Sequence, residues 1–224
     1  MPDKNNYTWS YSSLGLFQQC PHKYYLIRIK QDIHEPPTDA IRYGLLAHKA
    51  AEEYIRDAVD LPPALEYLRP ALDKLSSYPG DKYCEYKMAL TRRLEPCDFD
   101  SPDAWWRGIA DLLIIDWDKA RILDYKTGKS AKYADTKQLE LLSLATFKHF
   151  PQVKHTQCAL LFVVSRELVK ANYSVDSTPE YWQKWLGETA LLERAFDAGT
   201  WNPRPNFTCS KWCPVKDCTH NGRG

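Results

Sequence analysis

The chain has 224 residues, 44% of them apolar and 26% charged, with a formal net charge of +1. That length suits one large domain, or one domain with an appendage, of ordinary globular composition. The near-zero charge excludes a protein that coats nucleic acid through a global basic field, so any positive surface must be local.

No run of 18 apolar residues occurs, and Met1 to Tyr7 lack an apolar signal core. The expectation is a cytoplasmic protein with no membrane span. Its seven cysteines are then packed thiols or metal ligands rather than disulfides.

Residues 9–30 read as a short serine-capped helix carrying Leu14 and Phe17, broken at Cys20-Pro21 and resumed through Tyr24 and Tyr25. Residues 40–77 read as helical. A regular helix over 40–59 has Leu45, Leu46, Ala50 and Tyr54 inward, and a less regular stretch with Pro62, Pro63 and Pro70 follows. Gly44 and His48 share one face of the first helix. A glycine there costs about 1 kcal/mol of helix propensity, which points to close approach by another segment. Taken alone, His48 reads as a satisfied helix histidine. Residues 82–95 read as a strand, and Glu85 as an exposed strand glutamate, with support of a second metal as the lesser alternative.

Two apolar runs follow, Ile109-Ala110-Asp111-Leu112-Leu113-Ile114-Ile115 and Ile122-Leu123-Asp124-Tyr125-Lys126, which read as strands of a hairpin. Alternation puts Ile122, Asp124 and Lys126 on one side of the sheet, and Asp111 on the side of Leu113 and Ile115. An even-numbered link sets Asp111 opposite Asp124, and an odd one sets it against Tyr125. Two carboxylates and a lysine at one point form a site for a small hard cation and for phosphodiester hydrolysis, and a salt bridge of Asp124 with Lys126 is the bland alternative. Lys126, Lys129, Lys132 and Lys137 crowd the mouth of this site, as a basic funnel for nucleic acid or as a solvated loop.

A helix over 136–149 carries Leu139, Leu142 and Phe147, with Gln138 spaced from Asp135 to close a capping box. Strands at 156–164 and 168–175 complete the core over 82–175. A long helix over 177–199 has Trp182, Trp185, Leu186, Thr189 and Phe196 as its apolar stripe. The tail over 201–220 holds Cys209, Cys213 and Cys218 in a proline-broken segment with little to pack. With Cys20 they make four thiolates for zinc or an iron–sulfur cluster, and zinc on Cys209, Cys213, Cys218 and His220 is the other option.

Taken in order, Gly44-x-x-x-His48, Gly108-Ile109-Ala110-Asp111, Asp124-Tyr125-Lys126-Thr127-Gly128-Lys129 and Gln138-Leu139 resemble the motifs of RecB-type PD-(D/E)XK nucleases. With Cys20-Pro21 and the cysteine triplet, the chain is similar to the iron–sulfur branch. That branch holds CRISPR-associated RecB-like exonucleases, the AddB nuclease domain and phage exonucleases. Ala110 stands where the superfamily name expects proline. Leucine stands where a tyrosine usually follows the motif glutamine.

The resemblance implies an α/β fold, a central mixed sheet flanked by helices, over a single nuclease domain spanning residues 1–224. It implies His48, Asp111, Asp124 and the Tyr125 carbonyl as ligands of Mg2+ or Mn2+, Lys126 as the catalytic lysine, and Gln138 as a positioning group. It further implies a structural 4Fe–4S cluster on Cys20, Cys209, Cys213 and Cys218. The expected activity is metal-dependent exonuclease cleavage of DNA, on single strands or duplex ends, in recombination, repair or CRISPR spacer processing. A non-catalytic DNA-binding or scaffold subunit is the alternative.

Overall fold

Chain order in the computed structural model, which describes residues 7–222 except 129 and 133, begins with three helices: α1 (Tyr11–Gln19), α2 (Pro21–Tyr24) and, after a π-helical turn at Tyr25–Ile29, α3 (Asp39–Asp57). A 3-10 turn at Pro63–Leu68 leads into α4 (Arg69–Ser77), and the strands β1 (Asp81–Leu90), β2 (Pro96–Cys97), β3 (Trp106–Asp116) and β4 (Lys119–Lys126) follow. Then come α5 (Lys137–His149), β5 (His155–Phe162), β6 (Glu167–Ser174) and α6 (Thr178–Ala198). No helix among the described residues is long and apolar enough to cross a membrane.

The six strands form one mixed sheet in the order β2-β1-β3-β4-β5-β6. All neighbours are antiparallel except β4 and β5, which run parallel and are joined through α5. A parallel pair cannot be closed by a tight turn, so the crossover helix follows from the strand directions. The β3–β4 link is Trp117-Asp118, an even number, with Asp116 paired to Lys119.

The chain divides into two compact units, Pro37–Trp182, and Met1–Pro36 with Gln183–Gly224. The first unit holds the sheet. One of its cores joins Ala47, Ala50 and Ala51 of α3 to Leu65, Leu72, Leu112, Ile114, Leu123 and Tyr125. Tyr43 and Tyr54 pack against that cluster, so the inward stripe of α3 runs through residues 43, 47, 50 and 54. The expectation that Leu45 and Leu46 point inward fails, because they are 65% and 50% exposed on the far side of that stripe.

Within α6, Trp182, Trp185, Thr189 and Phe196 are buried as expected. Leu186 is 45% exposed, and Leu192 takes its place inside. Gly199 ends the helix with a left-handed φ of 61°.

The other unit begins with Ser10 capping α1 in a capping box with Ser13. Cys20 is extended between α1 and α2, and Pro21 opens α2, so the proline breaks one helix and starts the next. Its interior is aromatic: Trp201 stacks on Tyr24 at 5.7 Å and on Tyr25 at 5.4 Å, and meets Phe196 edge-on at 4.9 Å.

Candidate active site

The β3–β4 ladder ends at Leu112 paired with Leu123, so the next step of the register sets Asp111 opposite Asp124. No further pair forms there among the described residues, and the carboxylate of Asp111 fills the split by accepting the Tyr125 N–H at 2.6 Å.

From the α5 side of this split comes Asp124, 3% exposed. Lys126 Nζ lies 2.5 Å from its Oδ2 and donates to Gln138 Oε1 of α5 at 3.2 Å. Gln138 is therefore turned to the lysine instead of closing a capping box. Asp135 accepts the Lys137 N–H by itself.

His48 enters from α3. Its Nδ1 is 3.4 Å from Asp111 Oδ2 and its Nε2 is 2.9 Å from the Tyr125 carbonyl. The glycine one turn earlier has its reason here. A Cβ on Gly44 would lie 3.3 Å from Thr127 Oγ1, so the helix backbone passes close to the end of β4.

Glu85 is the residue that sequence reasoning set aside. His48, Glu85 and Asp111 each offer a ligand atom within 4.8 Å of the others, and no other such group of His, Cys, Asp and Glu occurs among the described residues. Asp124 and the cysteines lie outside it.

The β1–β3 register is continuous on both sides of Glu85 and Asp111, with Cys84 on Leu112 and Tyr86 on Ala110, but the pair between them is missing. At Glu85 the backbone takes a φ of 50°, and β1 turns over there. Tyr83 and Tyr86 consequently share a face, their rings 5.1 Å apart and both against Phe150, while Cys84 joins the α3 core. Strand β3 turns over with it. A Cβ on Gly108 would meet Leu142 of α5 at 3.1 Å, whereas Leu112 faces the α3 core.

Strict alternation would have put Asp111 on the face of Leu113 and Ile115. That expectation is corrected, because the reversal swings the Asp111 carboxylate towards His48. The two aspartates meet through the split instead of across one sheet face.

Electrostatics follow from this crowding. Burial first, and the Asp111 charge second, push the Asp124 carboxyl up to about 6 against the pull of Lys126. Burial and Asp111 likewise raise Glu85, opposed by His48. For His48, burial lowers the pKa, but the hydrogen bond and charge of Asp111, the Tyr125 carbonyl and Asp124 outweigh it and leave it raised. The cluster thus favours positive charge at its centre.

The donor set fits a divalent cation on two further grounds. Asp124 brings a buried carboxylate whose Oδ2 pairs with the Lys126 ammonium at 2.5 Å, a negative charge beside that of Asp111. The remaining donors are carboxylate, carbonyl and imidazole, which suit Mg2+ or Mn2+.

Lys132 and Lys137 are exposed on the segment between β4 and the start of α5, and Lys129 lies outside the described residues. In the other unit, Cys20, Cys209, Cys213, Cys218 and His220 line one cavity. Cys20 Sγ accepts the Arg204 N–H at 3.4 Å, and Cys209 Sγ the Asn206 N–H at 3.5 Å.

A mixed sheet split at its centre, with acids, an imidazole and a lysine in the split, is a nuclease core. The chain belongs to the PD-(D/E)XK nuclease superfamily, matching it over residues 8–218. Membership makes it a phosphodiester hydrolase with a nucleic-acid substrate.

A protein from Eubacterium rectale, solved under the description "Putative exonuclease", is similar in fold. The match covers 96% of this chain and 89% of that one at 10% identity and a TM-score of 0.52. SSO0001 matches over 99% of this chain and 89% of its own at 13% identity, with a TM-score of 0.43. No curated protein matches the sequence.

Proposed function

We propose that the whole chain acts as one metal-dependent deoxyribonuclease that digests single-stranded or frayed DNA from an end. The observation that carries this reading is the meeting of Asp124, Lys126 and Gln138 with Asp111 and His48 in one strand split. A bound Mg2+ or Mn2+ supplies a Lewis acid and a water of lowered pKa. Asp111, Asp124, His48 and the Tyr125 carbonyl hold it. Lys126, gripped by Asp124 and Gln138, orients the attacking water or offsets charge gathering on the phosphoryl oxygens. Lys129, Lys132 and Lys137 guide the backbone of the strand.

End dependence draws on the description of the Eubacterium rectale neighbour, and the setting we favour is recombination, repair or CRISPR spacer processing, with partner proteins of those assemblies. Cleavage of end-labelled and circular oligonucleotides in Mn2+ tests the reading. Wild type degrades linear strands and spares circles, and Lys126→Ala is slower by about 100-fold or more. Failure of wild type on every substrate leaves the non-catalytic DNA-binding reading.

For the tail we propose a structural 4Fe–4S cluster on Cys20, Cys209, Cys213 and Cys218. Backbone N–H groups donating to two of these sulfurs suit a cluster, whose potential such bonds tune. Tetrahedral zinc draws its thiolates to about 3.8 Å from one another at ordinary Zn–S bond lengths. The four thiols line one cavity, which suits a shared ligand. Anaerobically purified protein should be brown, absorbing near ~400 nm, and should lose colour and iron in Cys213→Ser. Stoichiometric zinc with no iron would assign the tail to zinc.

A further inference from the structure

Helix α3 buries one stripe, through residues 43, 47, 50 and 54, and presents His48 to Asp111 from the flank beside it. Ile41, Leu45, His48 and Glu52 fall along that flank, spaced i, i+4, i+7 and i+11. At about 100° per residue, Ile41 and Leu45 stand about 20° and 60° around the axis from His48, whereas Leu46 stands about 160° away. Ile41 is 52% exposed and Leu45 65%. The flank that carries His48 thus continues toward the helix N-terminus as bare hydrocarbon.

This ridge borders the mouth of the site. Gly44 lies between its two residues, and a Cβ there would stand 3.3 Å from Thr127 Oγ1, one residue beyond Lys126. Leu45 is about 4.5 Å and Ile41 about 10.5 Å along the helix axis from His48, a distance covered by one to three stacked nucleotides at ~3.4 Å each.

Charge agrees with a nucleic-acid neighbour. From Ile41 to Lys49 the helix carries Arg42 and Lys49 and no carboxylate. Their ion pairs, with Asp39 at 2.9 Å and with Glu53 at 3.7 Å, lie at the surface, so phosphate can replace those acids at little cost. A nucleic acid brings both chemistries at once, an anionic backbone and broad apolar base faces. Leucine and isoleucine are among the side chains that pack between base faces, which only an unstacked strand leaves open.

We infer that Ile41 and Leu45 grip unpaired nucleobases beside the phosphodiester being cleaved, and so select a single strand over a fully paired end. The inference rests on the nuclease reading above and deepens it.

The test compares cleavage in Mn2+ of an internally labelled single strand with that of a strand of equal length whose sugars carry no bases. Both present the same phosphates. Wild type should favour the base-bearing strand in kcat/KM by about tenfold or more, and Ile41→Ser/Leu45→Ser should bring that ratio to within about threefold. Leu46→Ser, on the opposite flank, should keep the wild-type ratio. Leu45→Phe, which restores an apolar surface, should keep it too, and Leu45→Ser alone covers a double variant that circular dichroism shows to be unfolded.

A wild-type ratio near one, or a double variant with the wild-type ratio, overturns the inference and leaves the nuclease reading intact. A wild-type dimer that the double variant dissociates in sedimentation assigns the ridge to a second copy of the chain, and likewise overturns it. Failure of wild type to cleave either strand overturns the nuclease reading itself.

Discussion

Asp124 illustrates how a site residue is kept at the expense of stability. Its carboxyl is raised from 3.8 to about 6, so the folded, metal-free chain binds more protons than the unfolded chain between those values. Stability attributable to this group is therefore highest below about pH 4, falls as pH rises through about 6, and stays low above it. Asp124→Asn removes the fall. At pH 8, without metal, the variant should melt several degrees higher. The upper bound is about 3 kcal/mol, reduced because Lys126 loses its counter-ion. Adding Mn2+ should raise the melting temperature of wild type by more than that of the variant. Calorimetric scans at pH 4, 6 and 8, with and without Mn2+, check the sign. His48 also titrates in this cluster, and metal binding should release protons from it.

At the scale of the element, the reversal shared by β1 and β3 is the main device. A non-glycine residue in the left-handed region costs about 1 kcal/mol, and such strain persists where surrounding structure demands it. Glu85→Gly should relieve it, shifting the urea midpoint upward or leaving it unchanged while metal binding falls. Strand β3 has its own constraint. A Cβ at Gly108 would stand 2.5 Å from the buried Trp106 ring and 3.1 Å from Leu142. Gly108→Ala should lower stability by about 1–3 kcal/mol in urea denaturation, since a closed core does not yield to added volume without strain.

Across the whole molecule, the sheet unit and the tail are stabilised by different means. The sheet unit has an apolar core of its own, and fully burying a leucine such as Leu72 or Leu112 contributes about 1.5–3 kcal/mol. Among its described residues, the tail beyond Gly199 has one 3-10 turn, Phe207–Ser210, and buries little more than Cys209 and Val215. Too small to fold on hydrophobic burial alone, the tail is secured, in the reading proposed above, by the ligand of its cysteines. In Cys213→Ser, limited trypsin digestion should cut first near Lys211 and Lys216, with a fragment containing residues 37–182 persisting. A tail as resistant as wild type would mean that the cysteines do not secure it.

Sequence alone determined the hairpin, the helix that follows it and the order of the motifs, because period-2 and period-3.6 patterns and turn residues are local properties, whereas the even parity of the hairpin link came from the structure. It marked Gly44 as a point of close approach, since a glycine inside a helix needs a reason. It also separated Asp124 and Lys126 by the two residues that keep them on one face.

Tertiary structure alone decided which face of α3 is buried, because Leu45 and Leu46 are as apolar as the residues that won. It also gave Gln138 its partner and brought Glu85 into the cluster. Glu85 illustrates the physical reason. Alternation assumes a regular strand, and one left-handed residue, stabilised only by neighbours distant in sequence, reverses every side chain that follows it. The same reversal carried Asp111 away from Leu113 and Ile115 and put its carboxylate beside His48.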